Sequence, residues 1–170
     1  MMQALCTGGD RVLIQRNCHK SVTNGVRLAG ARPVFLGPEA DAATMLATAP
    51  APATVKEALQ HYPEAKALVL TNPNYYGMTT DLTPLIEQAH EQGVPVVVDE
   101  AHGAHFALGR PFPNSALRSG ADAVVHSAHK TLPAMTRGAY LHVQGPRIDQ
   151  ESVSEALRLL QATSPSYPIL

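Results

Sequence analysis

Apolar residues along this chain gather in short runs, and between the runs they recur at helical spacing. Runs too short for a helix and bounded by turn residues read as strands of a sheet buried on both faces. After Gly8-Gly9-Asp10, residues Arg11 to Arg16 form the first such run. Asn17-Cys18-His19-Lys20-Ser21 then opens a helical stretch through about Leu28, which Gly30 ends. Pro33 to Leu36 is a second short strand, followed by a Pro- and Ala-rich connection from Gly37 to Pro52. Strand, helix and strand in this order imply a parallel pair joined by a right-handed crossover.

The alternation continues. Thr54 caps a helix over Val55 to His61, with Glu57 three residues on as in a capping box. Ala67 to Thr71 is the third strand, and Asn72 to Gly77 is a turn-forming loop at its carboxyl end. Asp81 caps the next helix, whose apolar positions Leu82, Leu85, Ile86 and Ala89 recur at helical spacing before Gly93 ends it. Val94 to Val98 is the fourth strand, Pro111 to Gly120 carries a loop and a short helix, and Ala121 to Val125 is the fifth strand. A sixth, Ala139 to Val143, follows after only Thr131 to Gly138, fewer than the dozen or so residues of a parallel crossover. Glu151 to Gln161 reads as a final amphipathic helix with Val153, Leu157 and Leu160 on one face. The pattern predicts a three-layer α/β/α fold with a mostly parallel sheet of about six strands, the last (139–143) antiparallel.

Composition narrows the picture. A chain of 170 residues is sized for one domain, and such a domain buries ~70% of its unfolded surface. The formal charge of −1, with Lys and Arg dispersed, argues against a nucleic acid or an anionic membrane surface as partner. No run approaches the ~20 apolar residues of a membrane span, and the start lacks a basic region followed by an apolar stretch. Cys6 and Cys18 have neither CxxC spacing nor the density of a disulfide scaffold, so free thiols and a cytoplasmic location are expected.

Candidate chemistry lies where two strands end. Ser127-Ala128-His129-Lys130 follows the fifth run, and Asp99-Glu100-Ala101-His102-Gly103-Ala104-His105 follows the fourth. Ligands of open α/β sheets bind beyond the carboxyl ends of the strands. Neighbouring strands lie ~4.8 Å apart, so Asp99 and Lys130 can face one flat ligand if their strands are adjacent. A lysine amine forms Schiff bases with carbonyls. A carboxylate opposite the ring of a pyridinium aldehyde keeps the ring nitrogen protonated and makes the ring an electron sink. Together these describe a site for pyridoxal 5'-phosphate (PLP).

Taken singly, the same residues have plainer readings. A lysine after a strand is usually a solvated strand end, and an acidic pair after a valine run is often a helix cap or a metal ligand. His19 is an ordinary polar residue near a helix N-terminus, Ser127 can satisfy a backbone group, and Tyr75 and Tyr76 are wall residues. His102-x-x-His105 and His126-x-x-His129, with Asp99 and Glu100, also read as metal ligands. That reading leaves Lys130 and His19 unexplained and gives no reason for a buried amine, so no metal is expected.

Five segments in order carry a resemblance. They are Arg16 to Ser21, Thr71 to Gly77, Asp99 to Phe106, Ser127 to Ala134 and Thr163 to Tyr167. Their sequences and spacings resemble those of the bacterial Orn/Lys/Arg decarboxylases, a family with the fold of the aspartate aminotransferase superfamily (fold type I), over nearly the whole chain. The resemblance implies that Lys130 holds PLP as a Schiff base, that Asp99 partners the pyridine nitrogen and that His19 stacks on one face of the ring. It likewise implies that Ala101 packs on the other face and that Ser127 and His129 approach the phosphate. His102 is placed to support Asp99 or meet the substrate carboxylate, and Thr163 and Ser164 match positions that reach the phosphate of a neighbouring subunit.

The implied whole is a PLP-dependent decarboxylase of lysine, arginine or ornithine, cytoplasmic, working in polyamine metabolism and forming a homodimer or higher homo-oligomer. Aminotransferase chemistry on the same fold, or a catalytically inert fragment, are the rival readings. Family members begin with an upstream phosphate-binding loop and continue into a small domain, so residues 1–170 are expected to be a partial PLP-binding large domain. Two departures stand out. Thr136-Arg137-Gly138 replaces the usual Thr-Gln pair, and Asn74 stands where Thr is common.

Overall fold

A computed structural model describes residues 1–161. Its strands are β1 (Arg11–Gln15), β2 (Arg32–Leu36), β3 (Leu68–Thr71), β4 (Val96–Asp99), β5 (Ala123–His126) and β6 (Tyr140–Val143). They form one six-stranded sheet in the order β2-β1-β3-β4-β5-β6, parallel throughout except for the antiparallel β5–β6 pair. The helices are α1 (Met2–Leu5), α2 (Lys20–Leu28), α3 (Pro52–His61), α4 (Thr83–Glu91), α5 (Ala128–Thr131) and α6 (Gln150–Leu160). The order of strands reverses at β1, which has β2 on one side and β3 on the other. At such a switch point the crossover connections diverge and leave a crevice at the strands' carboxyl ends.

Alternate residues of each strand feed two separate cores, as the pleat requires. Leu68, Leu70, Val96, Val98 and Val124 pack with Val55 and Leu59 of α3 and with Leu85 and Ile86 of α4. Val12, Ile14, Val69, Val97 and Ala123 pack on the other face with Met2, Val26 of α2, Ile148 and Val153 of α6. Strands buried on both faces explain the unbroken apolar runs, and two helical layers around one sheet give the three-layer architecture. Gly30 and Gly93 follow α2 and α4 with φ of 69° and 71°, the left-handed conformation that ends a helix where a Cβ would be strained.

Several local expectations need correcting. Helix α2 starts at Lys20 rather than Asn17, because Asn17 turns back to give its amide to the carbonyl of Thr48 at 3.1 Å. Helix α3 starts at Pro52, whose fixed φ suits a first turn, so Thr54 lies inside the helix and caps nothing. Asp81 does accept a bond from Thr83 N at 3.0 Å, one residue ahead of the N-cap position. No helix forms within 111–120; a 3-10 turn at Ala104–Leu108 stands before it instead. On α6 the inward face is Val153 and Ala156, while Leu157 and Leu160 are 36% and 61% exposed.

Candidate active site

At the carboxyl ends of β3, β4 and β5 the sheet opens into a cavity of about 650 Å³. The pleat delivers one residue in two to it. Val69 and Thr71 from β3, Val97 and Asp99 from β4, and Val125 and Ser127 around the end of β5 all line it. Thr71 stands opposite Asp99 in register, and Asp99 opposite Val125. From the other side come Cys18, His19 and Lys20 at the start of α2, with Ala101, His102, Tyr75 and Lys130 closing the rim.

The polar groups are held in place. Asp99 Oδ1 accepts the N–H of Ala101 at 3.1 Å, which fixes the carboxylate at the strand end. Ser127 stands at the N-cap position of the one-turn helix α5 without a side-chain cap bond, and that turn brings Lys130 Nζ to within 3.0 Å of His102 Nε2. The His102 ring also meets Tyr75 edge to face, with centroids 5.9 Å apart. Burial, and next the Lys130 charge, hold the His102 imidazole below its ordinary range. It is therefore neutral at pH 7 and able to accept a hydrogen bond from the amine. His19 caps α2, its Nδ1 accepting Ser21 N–H at 3.2 Å, so the ring is pinned at the cavity wall. Burial, with Asp99 a smaller cause, raises the Cys18 thiol above its usual range.

The cavity thus brings together Lys130, Asp99, His19, Ala101, His102 and Ser127 of the residues singled out from sequence. His129 is not among its lining side chains; its Nδ1 is 2.9 Å from the carbonyl of Gly138 and the ring is exposed. Thr163 and Ser164 lie outside the described residues. Lys130 is exposed rather than buried, because a single helical turn at the sheet edge lifts it clear of both cores. The residues of the metal reading are divided between the two faces of the sheet. Asp99 and His102 line the cavity, whereas Glu100 and His126 bond each other on the far side.

Thr71 was not foreseen. Its hydroxyl is buried against the cavity without a hydrogen-bond partner, although counting by twos back from the strand end would have placed it there. Asn74, by contrast, is saturated. Its amide nitrogen donates to the carbonyl of Ala47 at 2.7 Å and its oxygen accepts Tyr76 N and Met78 N at 2.9 and 3.0 Å, bonds made from two separate atoms where a threonine has one hydroxyl. Arg137 is exposed with φ of 72° and does not line the cavity.

This donor set suits a flat, polar aldehyde cofactor. The Lys130 amine and the Asp99 carboxylate share the cavity, Ala101 contributes only a methyl group to its wall, and the Thr71 hydroxyl has an unused bond.

Comparison with known proteins agrees. The model of a family described as Orn/Lys/Arg decarboxylase, major domain, matches residues 1–170. The uncharacterized protein YaaO of Bacillus subtilis (strain 168) is 58% identical over 171 residues, covering all of this chain and 36% of that protein. The arginine decarboxylase of the same organism is 37% identical, covering all of this chain and 35% of that protein. Among solved structures, the constitutive lysine decarboxylase of Escherichia coli superposes with a TM-score of 0.78 at 26% identity, over 99% of this chain and 25% of that one. The chain therefore spans about a third of the length of these curated relatives.

Proposed function

The chain belongs to the Orn/Lys/Arg decarboxylase family, whose cofactor is PLP, and from that premise we propose that it carries the cofactor site of a basic amino-acid decarboxylase. The substrate class is lysine, arginine or ornithine, and the products are CO2 and the corresponding amine, a step toward polyamines. The observation that carries the reading is the shared cavity of Lys130 and Asp99, with His19, Ala101, His102 and Ser127 around it.

Lys130 is the amine that would hold the cofactor's aldehyde, Asp99 would face its ring nitrogen, and His19 and Ala101 would flank the ring. Ser127 is assigned to the phosphate, together with Thr163 and Ser164 of a neighbouring copy; His129, engaged with the Gly138 carbonyl outside the cavity wall, would have to turn to join them. When bound, the cofactor supplies an electron sink for the carbon that loses CO2. The protein's own part is acid–base work and placement. His102, kept neutral, offers Nε2 as an acceptor to the Lys130 amine and so orients its Nζ in the cavity. That 3.0 Å contact would hold Lys130 Nζ where, carrying a proton, it can deliver it to the substrate carbon after CO2 leaves. A second copy of the chain is the proposed partner, supported by the large side chains Tyr75 and Tyr76 exposed at and beside the rim. A cytosolic location is supported by the free thiols of Cys6 and Cys18.

The test is product analysis. PLP-loaded protein is incubated with each of the three amino acids, and CO2 with amine is the expected outcome. A keto acid would instead mean an aminotransferase. Neither product, from a folded and PLP-loaded chain, would mean that turnover needs the rest of the longer relatives' length.

A further inference from the structure

On the face of the sheet opposite the cavity, a polar cluster sits where the reading above has no use for one. Glu100 is fully buried, and each of its oxygens is engaged. Oε1 accepts the N–H of Ala116 at 2.7 Å; Oε2 accepts the Ser115 hydroxyl at 2.7 Å and faces His126 Nε2 at 2.6 Å. His126 is itself buried, and its Nδ1 lies 3.1 Å from Nε2 of the half-buried His142 on β6. Ala116 N–H and the Ser115 hydroxyl both donate to this carboxyl, so its two oxygens serve as acceptors. With the carboxyl ionised and both imidazoles neutral, the protons have one consistent arrangement: His142 Nε2–H donates to His126 Nδ1, and His126 Nε2–H donates to Glu100.

The cluster adjoins Asp99, Ser127 and the turns that carry His102 and Lys130. Glu100 follows Asp99, and His126 precedes Ser127 and the turn that carries Lys130. Their bond therefore clamps the ends of β4 and β5 on the back of the sheet, at the point where Asp99 and Ser127 emerge in front. The turn bearing His102 is pressed on the same side chain, since a Cβ on Gly103 would lie 2.7 Å from Glu100 Cγ and 2.8 Å from Pro73 Cδ.

We infer that Glu100 is a positioning residue, an ionised carboxylate at the foot of the chain His142–His126–Glu100 that places Asp99, His102 and Lys130 from behind the sheet. Its effect on the cofactor rests on the assignment of Lys130 and Asp99 given above; its effect on the imidazoles does not.

Glu100→Gln tests it in the full chain. Ala116 N–H can only donate, so the glutamine must keep oxygen there and turn its amide nitrogen to His126. His126 must then accept at Nε2 and carry its proton on Nδ1, and His142 must follow. Imidazole nitrogen chemical shifts, read by NMR on cofactor-free protein, are expected to show both rings exchanging one tautomer for the other. The His102 titration midpoint is expected to move with them, and PLP capture on Lys130 to weaken about tenfold, the scale of lost outer-shell support.

His142→Ala, at a half-buried position, is the second variant. His126 is expected to keep its proton on Nε2, because the carboxylate holds it there. Unchanged tautomers in Glu100→Gln, or a proton moving to Nδ1 of His126 in His142→Ala, would overturn the ionised chain. Reversed tautomers with an unmoved His102 midpoint would overturn the positioning role. If wild-type protein captures no PLP, the cofactor assignment fails, and the NMR arm alone decides the inference about Glu100.

Discussion

At the scale of single residues, the site's chemistry follows from what each group loses to burial and gains from neighbours. His102 stays neutral because burial and the Lys130 ammonium both oppose its charge. The two thiols are muted by the same physics: burial pushes Cys6 up to about 11 and raises Cys18 as well. Since the thiolate is the reactive form, Cys6 is expected to alkylate with iodoacetamide at pH 8 well over tenfold more slowly than a free thiol of pKa ~8.5. Equal rates measured by mass spectrometry would contradict its burial. On the proposed assignment, Asp99→Ala is expected to cost far more turnover than Ser127→Ala, because Asp99 would sustain the electron sink whereas Ser127 would share its task with other groups. Comparable kcat losses in the two variants would count against that assignment. The residues named from sequence were those whose type advertises chemistry. Thr71 escaped because a hydroxyl ending an apolar strand looks like any turn residue, and Glu100 entered only the metal reading because nothing in its own identity says which face of the sheet it takes.

At the scale of elements, the four inner strands were legible because burial on both faces removes the choice of residue, and the termini of all six moved by only a residue or two. Helix starts were less so. The Asn17 side chain found a better partner across the crevice than at a cap, and Pro52 nucleated α3 ahead of Thr54. The antiparallel turn into β6 was readable because too few residues remained for any other connection. The turn after β4 is the tightest place in the site, and Gly103 alone fits it. Gly103→Ala is expected to destabilise the fold by ~1–3 kcal/mol through overpacking against Glu100 and Pro73. The urea midpoint measures this, and an unchanged midpoint would show that the turn has slack.

For the molecule as a whole, acid is the predicted weakness. His102 and His142 are both held below the ordinary histidine range, chiefly by burial. Between those lowered values and about 6.5 the unfolded chain binds more protons than the folded one, so stability rises with pH across that window and is lost as pH falls through it. At lower pH Asp10, Asp41, Asp81 and Asp149 act in the same sense. Hydrogen bonds from Thr7, Thr44, Thr83 and Ser152 respectively hold each below the usual carboxylate range. Their contribution is present above pH ~4 and disappears below it. Denaturant midpoints are therefore expected to be lower at pH 5 than at pH 7.5, with a shallower difference in His142→Ala. An equal slope in that variant would remove His142 from the account.

The whole fold also decides which amine matters, because two lysines, Lys20 and Lys130, line the cavity. The direct test adds PLP to the full chain, reduces with borohydride and maps the modified peptide. The structure predicts a pyridoxyl group on Lys130 and none in Lys130→Ala. Label on Lys20 instead, or no label on a chain shown to be folded by circular dichroism, would contradict the claim that Lys130 and Asp99 form the cofactor site.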